Sequence, residues 1–383
     1  MSVTTITQCR LCKSEDLYPV FDFGLQALTG YFPKLGEDVL KAPLNLAQCG
    51  KCKLLQLKDS VKPSILYGKN YGYKSSLNRS MVRHLKDIAE IIKSLNLFER
   101  GSFIVDIGAN DGTFLKNFSS TETGGRIAID PIIDKLENDY SSEVILYPEF
   151  FRKDLLPMQV QVITSFAMFY DLENPFGFMQ DVYDCLVKDG LWVMEMQYPN
   201  WLINQGVYDF ICHEHLCYFS AAHIKQMAEV VGFKLARASF NQTNGGSILY
   251  FFTKESAHCL YPQDPPINLS YYRNQIAKHK EVLKETIKGK NIFGYGASTK
   301  GNVVLQHCEL TPVDIPFICD VNPDKYGCVT PGTNIPIISE EEAKSLNPEY
   351  FLVMPWHFKE EILSRNKDYP VKWIFPFPEV ALV

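Results

Sequence analysis

The sequence predicts an α/β protein in three parts: a small metal-stapled module at residues 1–62, a central doubly wound domain at 63–250, and a smaller α/β unit at 251–383. Three observations lead there. Two C-x-x-C pairs bracket the N-terminal stretch. Short apolar runs then alternate with helical stretches, the pattern of a parallel sheet covered by helices. The plan of apolar run, glycine turn and helix occurs twice, at DIGANDG and again at GYGASTKGN.

The totals agree with several domains. At roughly 100–200 residues per domain, 383 residues make two or three. A hydrophobic content of 46% with 21% charged residues is ordinary for a globular chain, and a net charge of −6 gives no footprint for nucleic acid. No run of about eighteen apolar residues occurs, so no membrane span is expected. The opening MSVTTITQCR lacks an export signal, which makes the cytoplasm the expected location. There, eleven cysteines read as thiols and metal ligands rather than a disulfide framework.

The first part opens on CRLC (Cys9, Cys12) and closes on CGKC (Cys49, Cys52), with 36 residues between the pairs. Two thiolates at C-x-x-C spacing turn onto one ion, and two such pairs make a four-sulfur structural zinc site. So small a segment needs a staple to fold, and four thiolates leave no open position for catalysis.

The middle part begins with a helical pattern, SMVRHLKDIAEIIKSLNL, whose apolar positions are Met81, Val82, Leu85, Ile88, Ile91 and Ile92. SFIVDIGANDGTFLKNF follows as strand, glycine turn and new helix. GRIAIDP, VQVITSFAMFYDL and DGLWVMEMQYP read as three more strands. In the first turn Asp106 ends a strand, and Gly108 and Gly112 allow a ligand near the backbone. The middle glycine of a dinucleotide fingerprint is absent, and Asn110 and Asp111 occupy the loop. Acidic groups suit a cationic, phosphate-free ligand such as S-adenosylmethionine. Asp130 is placed to accept from its ribose hydroxyls, and Phe166, with Phe169 and Tyr170, follows near its adenine or in the core. An ordinary turn with helix-capping acids is the competing reading.

The second turn contains Gly294, Gly296 and Gly301 beside Ser298, Thr299 and Lys300. Amides at a helix start with a lysine suit an anion. That anion could belong to NAD, with Asp320 on its ribose, or to the nucleoside diphosphate of a substrate; a purely structural turn also fits. The stretch ICHEHLCYFS, with Cys212, His213, Glu214, His215 and Cys217, is open to three readings: metal site, acid/base group, or polar patch in a turn.

Taken in order, the paired knuckles, DIGANDG, HEH before an aromatic pair, NGGS, GYGASTKGN and PWHF resemble the three-part sugar C-methyltransferases that act on nucleotide-linked 4-keto-deoxyhexoses. The resemblance covers essentially the whole chain. It implies a zinc-binding module, a central Rossmann-like class I methyltransferase domain that binds S-adenosylmethionine, and a Rossmann-like C-terminal domain that helps hold the sugar nucleotide. It makes His215 the favoured base with Glu214 beside it; an enolate also needs a hydrogen-bond donor at the ketone oxygen, for which Tyr73 is the candidate. Tyr71 and Ser76, in NYGYKSS, fall near the donor. Asn244, Gly246 and Ser247 of NGGS suit a substrate phosphate or a hairpin turn, Gly296, Ser298 and Lys300 the substrate's anion or a structural turn, and Trp356 the sugar site or the packing of a strand end. Cys212 departs from the tyrosine of some relatives, which leaves that tyrosine's role vacant or moved here. A methyltransferase of oxygen or nitrogen, an NAD-linked oxidoreductase and a non-enzymatic zinc module are the rival functions.

Overall fold

The computed structural model describes residues 2–68, 71–98, 101–255, 257 and 259–383. Strands Leu17–Ala27, Lys41–Cys49 and Leu55–Leu57 form an antiparallel sheet in the N-terminal module, and Val3–Thr5 pairs with Asp59–Val61. The module's fourth strand comes from far downstream. Cys217–Tyr218 pairs antiparallel with Leu55–Leu57. The HEH stretch therefore stands where the zinc module and the central domain share a sheet.

The central sheet has seven strands in the order Lys234–Asn241, Ser247–Thr253, Leu186–Gln197, Val160–Phe166, Phe103–Ile107, Gly125–Ile129 and Val144–Tyr147. The sequence pattern suggests a parallel sheet, but Ser247–Thr253 runs antiparallel to both its neighbours. Chain length decides this. Five residues separate it from Asn241, enough for a hairpin and far short of a parallel crossover. The left-handed Asn244, Gly245 and Gly246 make the turn. Strand order reverses between Phe103–Ile107 and Val160–Phe166, which opens a crevice at their carboxyl ends.

The helix Arg79–Ser94 is capped by Asn78, whose side chain accepts from the Ser80 and Met81 amides, and it buries Met81, Leu85, Ile88, Ala89 and Ile92. Val82 lies on the outer face. The helix expected after DIGANDG is reduced to a 3-10 turn at Leu115–Asn117. Asn117 Nδ2 donates to the Thr113 and Phe114 carbonyls, and the serine-rich turn at Ser119–Glu122 follows at once. Side-chain bonds of this kind compete with helix propagation.

In the C-terminal part the helix Leu269–Ile287 leads into a six-stranded sheet. Its order is Ile337–Ser339, Ile318–Asp320, Ile292–Tyr295, Tyr350–Val353, Lys372–Phe375 and Ala381–Leu382, antiparallel only at the last. The parts are bonded to one another. Tyr272 donates to the Val207 carbonyl, and Gln306 pairs with both backbone groups of Ala27. Among the described residues no helix is long and apolar enough to cross a membrane.

Candidate functional site

The four cysteine sulfurs of the module lie within 4.8 Å of one another, with Cys9–Cys52 at 3.6 Å and Cys12–Cys49 at 3.5 Å. A tetrahedral ion with Zn–S bonds of about 2.3 Å sets its sulfurs about 3.8 Å apart. The cluster fits zinc, and its all-sulfur donor set makes the zinc structural. The hydrogen bond from Cys52 pulls the Cys9 thiol far down, favouring the thiolate that a metal needs. Between the first two cysteines, Arg10 is buried and bonds the Leu57 carbonyl and, at 2.9 Å, Glu173 of the central domain. Folding of the knuckle thus reaches the crevice two residues from Asp171.

At the first glycine turn, Asp106 is buried and accepts from Thr164 Oγ1 at 2.7 Å. Burial pushes it up to about 7, and the Asp130 charge adds to this. Asp130 accepts from the Asn110 and Ile132 amides and is also raised by burial. No cation offsets either carboxyl among the described residues. A pair of acids in that condition suits a ligand carrying a sulfonium and an ammonium group. Gly108 and Gly112 have φ of +75° and +71°, and a Cβ on Gly112 would stand 2.6 Å from the Tyr140 ring. Asn110 and Asp111 turn elsewhere. Asn110 bonds the Ser75 amide and the Tyr73 carbonyl, and Asp111 accepts from the Ser76 amide at 2.8 Å and from Thr113. These two side chains clamp the Tyr71–Ser76 strap across the turn. Phe166 packs edge-on against Phe114, and Phe169 is wholly in the core.

The three polar residues of HEH diverge. His213 Nε2 bonds the Ala42 carbonyl, the Glu214 carboxylate accepts from Thr29 Oγ1 at 3.1 Å, and His215 Nδ1 meets the Phe210 carbonyl at 2.7 Å. Cys217 is spent on the shared sheet and Cys212 is a buried thiol whose pKa burial drives upward. Among the described residues the metal-ligating group is the N-terminal one.

A carbonyl can only accept, so His215 carries its proton on Nδ1 and leaves Nε2 with a lone pair. Burial holds the ring down to about 3, with the Lys300 charge adding. Tyr170 stacks edge-on at 4.4 Å. Tyr71 stands beside Glu214, since a Cβ on Gly30 would lie 2.8 Å from Glu214 Oε1 and 3.5 Å from the Tyr71 ring. Tyr73 is 40% exposed and stands at the outer cleft. The fold adds side chains that the sequence pattern did not single out: Thr29, Tyr67 and Asp171. Tyr67 donates to Asp171 Oδ2 at 2.7 Å, and burial raises both groups well above their ordinary values. Asp171 closes the 3-10 turn Phe169–Asp171 that follows the strand Val160–Phe166, and an acid just beyond a strand's carboxyl end was the available signal.

The second turn is filled by protein. A Cβ on Gly296 would stand 2.5 Å from Pro355, and one on Gly301 2.5 Å from Met354. Ser298 is a helix cap whose hydroxyl accepts from the Gly301 amide. Asp320 is paired with Lys325 at 3.2 Å and with the Asn322 amide. Lys300 points inward: Nζ is 3.4 Å from the Asn244 carbonyl, and its charge acts on Asp209 and His215. The amides of the NGGS turn are taken too, Gly245 by Gln242 and Gly246 by Thr243, while Ser247 Oγ donates to the Thr243 carbonyl. The missing Cβ groups of Gly245 and Gly246 admit Trp356 and Trp201. Trp356 donates to Asp209 at 2.8 Å. Asn244, Lys300 and Trp356 therefore gather at one wall of the crevice, whereas Gly296 and Ser298 serve the packing of the turn itself.

Comparison with known proteins follows the same three parts. Residues 9–67 match a family model described as a zinc binding domain, residues 78–238 a methyltransferase domain, and residues 264–378 a C-methyltransferase C-terminal domain. The chain is 27% identical to C-methyltransferase NovU of Streptomyces niveus over 418 aligned positions, covering all of this chain and 98% of that one. Solved structures similar to part of the chain include an S-adenosylmethionine-dependent methyltransferase from Clostridium acetobutylicum, 12% identical, with 45% of this chain and 91% of that one covered at a TM-score of 0.36. The CcbJ methyltransferase from Streptomyces caelestis is also 12% identical, with 45% and 90% covered at a TM-score of 0.35. The chain thus carries, in this order, a zinc-binding domain, a methyltransferase domain and a C-methyltransferase C-terminal domain, the make-up of an S-adenosylmethionine-dependent C-methyltransferase.

Proposed function

We propose that the chain methylates C3 of a nucleotide-linked 4-keto-deoxyhexose through an enolate, with His215 as the base. The observation that carries this is the His215 ring, fixed by the Phe210 carbonyl on Nδ1 and by the Tyr170 ring edge-on, which leaves the Nε2 lone pair free. Carbon needs activation before it can attack. A 4-keto group makes the C3 proton acidic because the anion spreads onto the ketone oxygen. Bound S-adenosylmethionine supplies an electrophilic methyl group. His215 Nε2 takes the C3 proton, and its neutral form is fully populated at neutral pH. The charge forming on the ketone oxygen falls in the field of Lys300, which favours the anion. Tyr71, a neutral phenol beside Glu214, is better placed than the exposed Tyr73 to donate to that oxygen. Glu214, held by Thr29, is left to orient a sugar hydroxyl.

The test is methyl transfer from labelled S-adenosylmethionine to a panel of nucleotide 4-keto-deoxysugars, beside His215→Ala, with mass spectrometry to locate the label. Label on sugar carbon, reduced at least about a hundredfold in the variant, is the expected result. Label on carbon with an undiminished variant moves the base elsewhere. Label only on oxygen or nitrogen of another small molecule would replace the enolate mechanism altogether.

A further inference from the structure

The residues on either side of His215 are held by the zinc module. His213 Nε2 bonds the Ala42 carbonyl at 3.1 Å, and the Glu214 carboxylate accepts from Thr29 Oγ1. The Leu216 carbonyl accepts from the Leu57 amide at 2.9 Å, and Cys217 and Tyr218 pair with Gln56 and Leu55. His215 itself closes back on its own segment, with its amide on the Cys212 carbonyl and its ring on the Phe210 carbonyl.

One side chain runs from this pairing to the metal cluster. Gln56 is wholly buried, and its backbone faces Cys217, two residues after His215. Its Nε2 donates to Cys9 Sγ at 3.2 Å, and its Oε1 accepts from the Arg10 amide at 3.0 Å. Arg10 in turn bonds the carbonyl of Leu57, the next residue of the same strand. The second knuckle makes a parallel link. The Cys52 carbonyl meets His223 Nε2 at 2.8 Å, and His223 Nδ1 accepts from the Ser220 amide, where the stretch after HEH enters its helix.

The knuckles depend on their ion for this shape. Lys13 and Lys53, directly after Cys12 and Cys52, have φ of +58° and +66°, a left-handed conformation that a side chain disfavours. A zinc ion on the four sulfurs holds both turns closed. The donor turn is anchored otherwise. Asp106 accepts from Thr164, and Asp130 from the Asn110 and Ile132 amides, all within the central domain.

We infer that Gln56 is a positioning residue for His215: its bonds to Cys9 and Arg10 tie the zinc-held knuckle to the HEH loop, so that proton abstraction depends on zinc while donor binding does not. This rests on His215 as the proposed base. The bond to a ligating sulfur and the pairing with the loop belong to one residue, so a shift in the knuckle moves the loop directly. Groups that bond a metal's ligands typically cost 10–100-fold in metal affinity or activity when removed.

The test is Gln56→Leu in the full-length protein with zinc in excess, which removes both side-chain bonds and keeps the strand pairing. Zinc content, S-adenosylhomocysteine affinity by calorimetry, hydrogen exchange of the peptide 211–220 and methyl transfer to nucleotide 4-keto-deoxysugars are compared with wild type. Zinc content and donor affinity are expected to stay as in wild type. Exchange of that peptide is expected to quicken, and methyl transfer to fall, each by roughly 10–100-fold. Removing zinc from wild type with a chelator is expected to quicken the same peptide while S-adenosylhomocysteine still binds, and added zinc to reverse it. Unchanged exchange and methyl transfer in Gln56→Leu would overturn the coupling and leave His215 as the base. Joint loss of zinc and donor affinity in that variant would make Gln56 a residue of folding alone and overturn it as well. Undiminished methyl transfer by His215→Ala would instead remove the base, and the coupling with it.

Discussion

The two glycine turns look alike in sequence and differ in what their acids do. At the first, Asp106 and Asp130 are buried without a cation, and burial raises both. At the second, the strand-end acid Asp320 is paired with Lys325. The glycines differ as well. Gly296 and Gly301 make room for Pro355 and Met354, whereas the nearest obstacles at Gly108 and Gly112 are the side chains of Met168 and Tyr140. A strand–glycine–helix plan marks a place where a ligand can approach the backbone. Whether a ligand belongs there is decided by which charges are left unpaired.

Substituting the two strand-end acids breaks the comparison most directly. Asp130→Ala removes the carboxylate proposed to receive the donor's ribose hydroxyls, and each charge-assisted hydrogen bond contributes about 1.5–3 kcal/mol. S-adenosylhomocysteine affinity is expected to fall by about a hundredfold or more in a calorimetric titration. Asp320→Ala is expected to leave that affinity alone and to lower the unfolding temperature, because Lys325, 13% exposed, loses its carboxylate. Equal losses of donor affinity in both variants would mean that the turns are not distinct.

A smaller effect comes from adding a methyl group. Gly296 has φ of +82° and faces the rigid ring of Pro355, so Gly296→Ala is expected to cost about 2–3 kcal/mol of stability in denaturant unfolding, with donor affinity retained. Gly112→Ala pushes on Tyr140, whose hydroxyl holds the Asn110 carbonyl at 2.7 Å. There the donor affinity itself is expected to drop, by about tenfold. A Gly112→Ala protein that binds S-adenosylhomocysteine like wild type would sink the idea that this turn is shaped for a ligand.

The acid pair also predicts a pH dependence. Asp106 sits at about 7, raised above the ordinary carboxylate range, and a cationic ligand needs it ionised. S-adenosylmethionine binding should therefore strengthen as pH rises through 7 and weaken toward pH 6, approaching a tenfold change per unit on the acid side. Asp106→Asn should flatten that limb. A binding curve level from pH 6 to 8 in wild type would show that Asp106 is not part of the recognition.

Much of this organisation was legible in the residues. The C-x-x-C pairs and the strand end at the first glycine turn are readable in their spacing. What was hidden depends on non-local contacts. Asn110 and Asp111 look like ligand groups until the strap at Tyr73–Ser76 is laid across them. Cys217 looks like a metal ligand until its strand joins a sheet begun more than 150 residues earlier. The NGGS amides look free until the hairpin closes on them. Lys300 looks like a phosphate lysine until the packing of two domains turns it toward Asn244 and Asp209. In each case tertiary pairing consumed a group that the local pattern left open.

Buried histidines contrast the two halves at the smallest scale. His215 is held down to about 3 in the crevice, while His279 and His307, around Tyr208 in the C-terminal half, are held down to about 4, each chiefly by burial. Their folded pKa values lie below the unfolded value of about 6.5, so the unfolded chain binds more protons between pH 6.5 and 4. Stability is therefore retained above 6.5 and lost as pH falls through that window, by up to about 1.4 kcal/mol per pH unit for each histidine. His279 shows why: its Nδ1 accepts from Tyr208 at 2.9 Å while Nε2 donates to the Pro376 carbonyl at 2.7 Å, and protonation would remove the acceptor. Urea unfolding at pH 7.5, 5.5 and 4.5 should show the loss, and His279→Gln should shrink it. For His215 as the proposed base, the counterpart is a kcat/KM profile for the sugar nucleotide, at saturating S-adenosylmethionine, with no limb near pH 6.5, because His215 stays neutral well below that point. A limb at 6.5 that vanishes in a His215 variant would show that bound substrate restores the ordinary basicity of the ring.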